Sequence, residues 1–328
     1  MSASFSERFV EVARVPAVGR GALSERTIKT YRHWLKRFFL HTGRKPAAQW
    51  CGRDVSRWMF DLKAEGYAPK SRNQALCAVV FAFNHVLHLD PGILDLPAAE
   101  RCRPTLKTIP TREEIGRIFA GLRGQSRMMA AVIYGSGLRV QECCELRVKD
   151  LDFANLTIRV HGGKGGKDRL TLLPMLLVEP LRRWVEWRAA LHGRDLAEGA
   201  GLVDLPGRLA GKYPQAPREL RWQYLFPSAA IRAQRRWYAV PEGLQKALRK
   251  AVAAAGIVRP VTPHTLRHAF ATHAMRAGND VMTIKDLLGH ESLETTMIYL
   301  HADASRGVSP LDLAPAALER RPSPLALA

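Results

Sequence analysis

A chain of 328 residues with 47% hydrophobic residues is long and apolar enough for two domains with ordinary cores. Its 50 Lys and Arg against 30 Asp and Glu leave a formal charge of +20, which points to a polyanionic partner, most simply nucleic acid, with an anionic membrane surface as the rival. No apolar run reaches the roughly 18 residues of a spanning helix, and the polar, mixed stretch Ser2 to Arg14 is no signal peptide. The five cysteines (Cys51, Cys77, Cys102, Cys143, Cys144) are odd in number and lack Cys-x-x-Cys spacing, which argues against a disulfide framework or zinc site and fits a reducing cytoplasm.

In chain order, Phe5, Phe9 and Val12 suggest a short lead-in of about one and a half helical turns. Ser24 caps the first strong helix, with Tyr31, Trp34, Leu35, Phe38 and Phe39 as its apolar stripe. Arg26, Lys29, Arg32, Lys36 and Arg37 form its other face, either solvated or turned to phosphate. Asp54 reads as the cap of a second helix that Gly66 ends. Pro69 opens a third, whose first turn carries Lys70 and Arg72 where free backbone N–H groups also meet phosphate. These helices make a domain over 1–103. Arg103 and Lys107, at and within a basic linker over 104–110, are candidates to lie along a DNA backbone.

Thr111 to Glu114 is a capping box that opens a helix through Ile115, Ile118, Phe119 and Leu122. An apolar helix over 127–134 leads to Gly135-Ser136-Gly137-Leu138-Arg139, a turn that presents Arg139 at the start of a helix running through Glu142, Cys143, Leu146 and Val148. Leu156 to Val160 alternates as a strand, Gly162 to Arg169 is a glycine-lysine hairpin, and Leu170 to Leu173 returns. The hairpin lacks the Gly-Lys-Ser/Thr order of a nucleotide-binding loop. Pro180 to His192 is an amphipathic helix with Trp184 and Trp187. The Gly-, Pro- and charge-rich stretch 194–222 reads as an insertion with a short helix of its own. Trp222, Arg235, Arg236, Trp237 and Tyr238 supply the basic and aromatic mix that holds a backbone and stacks on bases. Pro241 to Ala255 is a basic helix.

Thr262 caps the next helix, Pro263 opens it, and His264 and Arg267, three apart, share one face. Asp286 to His290 ends a helix at Gly289. Ser292 to Thr296 starts another, which bears Tyr299. Arginine clamps phosphate oxygens, histidine moves protons near neutral pH, and a deprotonated tyrosine is a covalent nucleophile. Each residue alone is commonplace packing or surface; only the ordered set carries weight. The last segment, 306–328, is a Pro/Ala/Leu-rich tail.

That ordered set is Gly137-Leu138-Arg139-x-x-Glu142-x-x-x-Leu146, Gly163-Lys164-Gly165-x-Lys167-x-Arg169, His264-x-Leu266-Arg267-His268-x-Phe270-Ala271-Thr272-His273, Leu287-Leu288-Gly289-His290 and Tyr299. In this order the motifs resemble the tyrosine site-specific recombinases over nearly the whole chain. Lys212-Tyr213-Pro214, Trp222 to Ser228, Val148 to Phe153 and Gly165 to Arg169 are similar to features of the integron integrases, although the segment between Ser228 and Gln245 is shorter than in that subgroup.

The resemblance implies a mainly α fold with a small antiparallel β-sheet. A helical, SAM-like core-binding domain would join a mixed α/β (α+β) catalytic domain over 111–305, carrying an insertion near 193–223, as a clamp on DNA. It implies that Arg139 and Arg267 clamp the phosphate, that His290 adds a donor, and that Tyr299 attacks to leave a 3′-phosphotyrosine and a 5′-hydroxyl. Lys164 would protonate the leaving oxygen, His264 would assist proton removal from tyrosine, and Glu142 would orient its neighbours, with His268 and His273 structural. Neither metal, ATP nor other cofactor is implied, because the covalent intermediate conserves the bond energy. The implied partners are DNA attachment sites, duplex and folded single strand, in the bacterial cytoplasm and nucleoid. A free monomer would assemble as a homo-tetramer on two sites. Xer-like or phage-type recombination, a type IB topoisomerase and a non-catalytic DNA-binding module are the rival readings. A zinc hydrolase on His264, His268, His273 and His290 lacks His-Glu-x-x-His spacing.

Overall fold

The apolar stripes of these helices close into three hydrophobic clusters in the computed structural model, which describes residues 3–16, 22–97, 109–161, 168–207 and 209–289. The chain divides into two compact units, Met1–Thr105 and Leu106–Ala328. The described part is mostly helical with two small antiparallel sheets, and no helix in it is long and apolar enough to cross a membrane.

The first unit holds α1 (Ala3–Arg14), α2 (Glu25–His41), α3 (Gly52–Ala64) and α4 (Pro69–Phe81), the last continued by a π-helical turn over Ala82–Leu87. The lead-in is a full helix, because Phe5, Phe9 and Ala13 recur every four residues and are all buried. Ser24 caps α2 as expected, its hydroxyl accepting from the Thr27 N–H at 3.2 Å. Aromatic rings fill the centre: Phe38 lies 4.9 Å from Trp50 and 5.1 Å from Trp58, ring centre to ring centre.

Asp54 is not the cap of α3. The cap is Cys51, and Asp54 sits three residues on, where its carboxylate accepts from the Cys51 N–H at 3.2 Å. Arg72 does not lie on a phosphate-facing surface either. It is 6% exposed, because it stands on the stripe of Ala75 and Val79 that faces the core. Lys70, two residues earlier, is exposed.

The second unit begins with α5 (Arg112–Gly121), α6 (Gly124–Ser136) and α7 (Val140–Glu145). The Thr111 capping box forms at both ends, at 2.7 and 3.2 Å. Helix α7 is shorter than expected: it stops at Glu145, so Leu146 and Val148 lie beyond it. Strands β1 (Leu151–Asp152), β2 (Thr157–Val160) and β3 (Arg169–Leu172) pair in that order, with Val160 opposite Arg169 and Ile158 opposite Thr171. Ile158, Val160 and Thr171 face inward, while Leu170 and Leu172 face out.

Helix α8 (Met175–Ala197) is longer than the expected segment and carries Pro180 inside it. The insertion does contain its own short helix, α9 (Leu209–Lys212), followed by two tight turns over Ala216–Arg218 and Leu220–Trp222. A hairpin of β4 (Pro227–Arg232) and β5 (Arg235–Tyr238) then turns on Ala233 and Gln234, both left-handed at φ 48° and 61°. Helices α10 (Pro241–Ala254), α11 (Pro263–Arg276) and α12 (Val281–Leu288) complete the described part. Thr262 caps α11, and Gly289 ends α12 at φ 63°. Leu266 and Ala269 of α11 and Met129 and Ile133 of α6 lie in the same core.

Candidate active site

The site is built on two glycine turns. Gly137 ends α6 at φ 67°, and a Cβ there would meet Phe270 at 2.5 Å and Leu288 at 2.9 Å. Only glycine lets this turn approach α11 and α12 so closely. The turn delivers Arg139 as the first residue before α7, where the Glu142 carboxylate accepts its backbone N–H at 2.7 Å and its Nη1 at 2.6 Å. Arg267, on α11, is 2% exposed. Its Nη1 donates to the Gly137 carbonyl at 2.6 Å and stands 3.6 Å from Glu142 Oε2.

Arg169 completes the cluster from the first residue of β3. It donates from Nη1 to Glu142 Oε1 at 2.8 Å and from Nη2 to Oε2 at 2.7 Å. The motif contained Arg169, but sequence reasoning gave it no role. Its register opposite the inward Val160 is the signal that places it in the site. Burial alone would raise the Glu142 carboxyl, but Arg169 and then Arg139 outweigh it and hold the group down at about 2. Glu142 is therefore a carboxylate at any working pH.

The end of α12 docks against the same arginines. Arg169 Nε donates to the Leu287 carbonyl at 3.0 Å, Arg267 Nη2 to Leu288 at 2.7 Å, and Arg139 Nη2 to Gly289 at 3.3 Å. His290 follows Gly289 directly in the chain. His264 is exposed in the first turn of α11, and its ring centre lies 4.1 Å from that of His268, edge to face. His273 is buried, its Nδ1 2.9 Å from the Tyr134 hydroxyl; burial first, then Arg112 and Arg276, keep it below the usual histidine range.

Of the expected catalytic residues, Arg139, Glu142 and Arg267 thus converge. Lys164, His290 and Tyr299 lie outside the described residues, as do Arg103 and Lys107. Among the described residues no group of three or more His, Cys, Asp or Glu side chains is arranged to hold a metal ion.

The expected DNA-contacting set splits. Trp237 is 39% exposed on β5, and Arg235 is half-exposed and ion-paired to Asp204. Arg236 is buried, which corrects its assignment. Side chains alternate along β5, so its neighbours point out while it points in. There Nε donates to Asp195 Oδ2 at 2.9 Å, Nη2 to the other carboxylate oxygen, and Nη1 to the Ser228 and Ala229 carbonyls at 3.1 and 2.9 Å. Trp222 is half-buried, with the Lys149 ammonium 4.7 Å from its ring centre. It lines a cavity of about 520 Å³ with Tyr224, Tyr238, Lys149 and His161, adjoining Glu142. Arg147, which sequence reasoning passed over, ties this wall down by donating to the Trp222 and Asp204 carbonyls at 2.6 and 2.8 Å.

A model of the phage integrase family matches residues 111–306, and a model of the phage integrase N-terminal SAM-like domain matches residues 8–92. An integrase/recombinase of Escherichia coli is 38% identical over 304 residues, covering 89% of this chain and 90% of that protein. The tyrosine recombinase XerA of Pyrococcus furiosus is 32% identical over 289 residues, covering 86% of this chain and 85% of its own. Among solved structures, the Tn1549 transposon integrase in complex with transposon right end DNA matches with a TM-score of 0.62 at 18% identity, over 96% of this chain and 98% of that one. XerH site-specific recombinase bound to palindromic difH substrate matches with a TM-score of 0.61 at 20% identity, over 91% and 80%. At these identities the two structures speak for the fold.

Proposed function

The chain belongs to the phage integrase family of tyrosine recombinases, enzymes of DNA strand exchange, and we propose that it acts as an integrase on the attachment sites of mobile gene cassettes. The observation that carries the chemistry is the convergence of Arg139, Arg169 and Arg267 on the single carboxylate Glu142, a pocket with positive charge in excess. Such fixed cations suit a phosphoryl transition state, whose charge gathers on the equatorial oxygens.

In this reading Arg139 and Arg267 clamp the scissile phosphate. The Tyr299 oxygen attacks phosphorus as the bond to the 5′-oxygen breaks. Lys164 gives that oxygen its proton, and His264 helps take the proton from tyrosine. His290 donates to the phosphate. Glu142 holds the arginines, and the reverse attack by a 5′-hydroxyl of another strand rejoins the DNA without an added energy source. Lys70, Arg103, Lys107 and the exposed Trp237 contact DNA outside the centre. Two bound sites held by four copies would provide the strands for exchange.

The cassette reading is supported by the wall that Trp222 of the insertion helps to form. Trp222, Tyr224 and Tyr238 beside Lys149 line a cavity large enough for a base, and aromatic faces with nearby cations stack unpaired bases whatever their identity. Replacing Trp222 and Trp237 together by alanine is expected to spare cleavage of duplex sites and to remove the preference for a folded single strand with protruding bases. Band shifts on the folded strand with and without those bases test this; equal binding by the unaltered protein to both would end the cassette reading. The XerA similarity supports a second, Xer-like reading, in which only duplex sites are recombined. Tyr299→Phe is expected to abolish the covalent protein–DNA adduct on denaturing gels while DNA binding stays near its original strength, under either reading.

A further inference from the structure

Arg139, Arg169 and Arg267 do not share Glu142 equally. Arg169 engages both carboxylate oxygens as a fork, at 2.8 and 2.7 Å, and its Nε is taken by the Leu287 carbonyl at 3.0 Å. Its side chain is 10% exposed. Its guanidinium thus spends a donor from each of its three nitrogens inside the protein, two of them on Glu142. Arg139 reaches only Oε1 with its side chain, at 2.6 Å, and Arg267 stays 3.6 Å from Oε2.

Arg169 also belongs to a series. Leu287, Leu288 and Gly289 present three successive carbonyls at the end of α12, each accepting from a different arginine. These are groups a helix end leaves without internal partners, and they carry its partial negative charge. Arg169 takes the innermost. A Cβ on Gly289 would come within 2.8 Å of the Arg169 Cδ, so the glycine turn and this side chain are fitted to each other.

We propose that Arg169 is a positioning residue of the strand-exchange centre: it occupies Glu142 so that Arg139 and Arg267 keep their charge for the scissile phosphate, and it docks the helix end from which His290 follows. The inference rests on the assignment of Arg139 and Arg267 to the phosphate. With Arg169 present, three cations meet one anion. Without it, the carboxylate faces only the two phosphate-binding arginines, and its attraction for them and its repulsion of the phosphate both oppose the reaction.

The test uses single-turnover formation of the covalent adduct by the full chain. The substrate is a duplex recovered from a random-sequence library by its covalent capture on the unaltered protein. Arg169→Gln is expected to slow adduct formation by roughly 10–100-fold, the usual cost of losing a partner that orients a site, while affinity in band shifts changes little because many phosphates carry it. Glu142→Gln alone should also slow the reaction. In the double variant the carboxylate that Arg169 offsets is gone, so the loss of Arg169 should cost less on the Glu142→Gln background than in the unaltered protein. Independent roles would make the losses add, and a double variant in which they add overturns the proposal, as does Arg169→Gln at the full rate. If Arg169→Gln melts below the assay temperature by circular dichroism, the comparison of the double variant with Glu142→Gln still decides. Arg139→Ala separates the two levels. If it reacts at the full rate, the phosphate assignment itself fails. If it is inactive while Arg169→Gln is unaffected, only the role of Arg169 falls.

Discussion

The cluster around Glu142 and the cluster around Asp195 both bury arginines, but they treat charge differently. At Asp195 one guanidinium takes the whole carboxylate: Arg236 covers both oxygens and spends Nη1 on two carbonyls. The neighbouring Arg188 is wholly buried and donates to the Tyr224 carbonyl and the Gln223 amide oxygen at 3.0 and 2.9 Å, and burial draws its guanidinium down to about 10. The Arg188 contacts and the Arg236–Asp195 pair tie α8 to the stretch 223–236. At Glu142 three guanidiniums share one carboxylate, so positive charge is left over at the site. Burial of an arginine by itself therefore says little about function; whether several guanidiniums converge on one shared carboxylate says more.

The comparison can be broken at either end. The largest effect is expected from Arg139→Ala, which should cut adduct formation by about 10²–10³-fold, the cost of one transition-state donor, while thermal melting moves little. Single-turnover gels and melting curves on the same preparation check both halves. Arg236→Ala should do the reverse. Leaving Asp195 buried without its partner costs about 3–5 kcal/mol, a melting point lower by roughly 10 °C for a unit of this size, with the adduct rate per folded molecule retained below the transition. Replacing Asp195 and Arg236 together by Leu and Met should recover most of that stability. No apolar pair at Glu142 and Arg169 should recover activity.

A smaller effect separates the clusters by pH. Glu142 titrates lower in the folded chain than its ordinary value of 4.5, so its charge stabilises the fold above that value and the contribution, on the order of 3 kcal/mol, is lost as pH falls towards about 2. Glu142→Gln should flatten that acid limb in urea titrations. The smallest effect belongs to His192 and His273, both lowered chiefly by burial from an ordinary 6.5. The unfolded chain then takes up protons that the folded one refuses, so stability slips as pH drops below 6.5. His273→Gln, which keeps a hydrogen-bonding side chain, should shallow that decline.

Much of this was legible without coordinates. Helices follow from apolar residues every three or four positions, and their ends from Ser24, Thr111, Thr262, Gly137 and Gly289, because capping and turn geometry depend on residues within one helical turn. The ordered Arg139, Glu142 and Arg267 were legible for the same reason, since each sits at a turn or helix start that local chemistry defines. Asp54 shows the limit of that legibility: an acid three residues inside a helix and an acid at its cap give the same local pattern. The arginines show where it stops. Arg72, Arg169 and Arg236 read alike as basic residues in a basic chain. Arg236 is turned inward by Asp195, 41 residues away, and Arg169 is spent on Glu142 and on Leu287, 27 and 118 residues away. Periodicity and capping are properties of neighbours along the chain, so the sequence alone determined the elements and the toolkit. A guanidinium's role depends on which distant carboxylates and carbonyls converge on it, and only the packed tertiary structure brings those together.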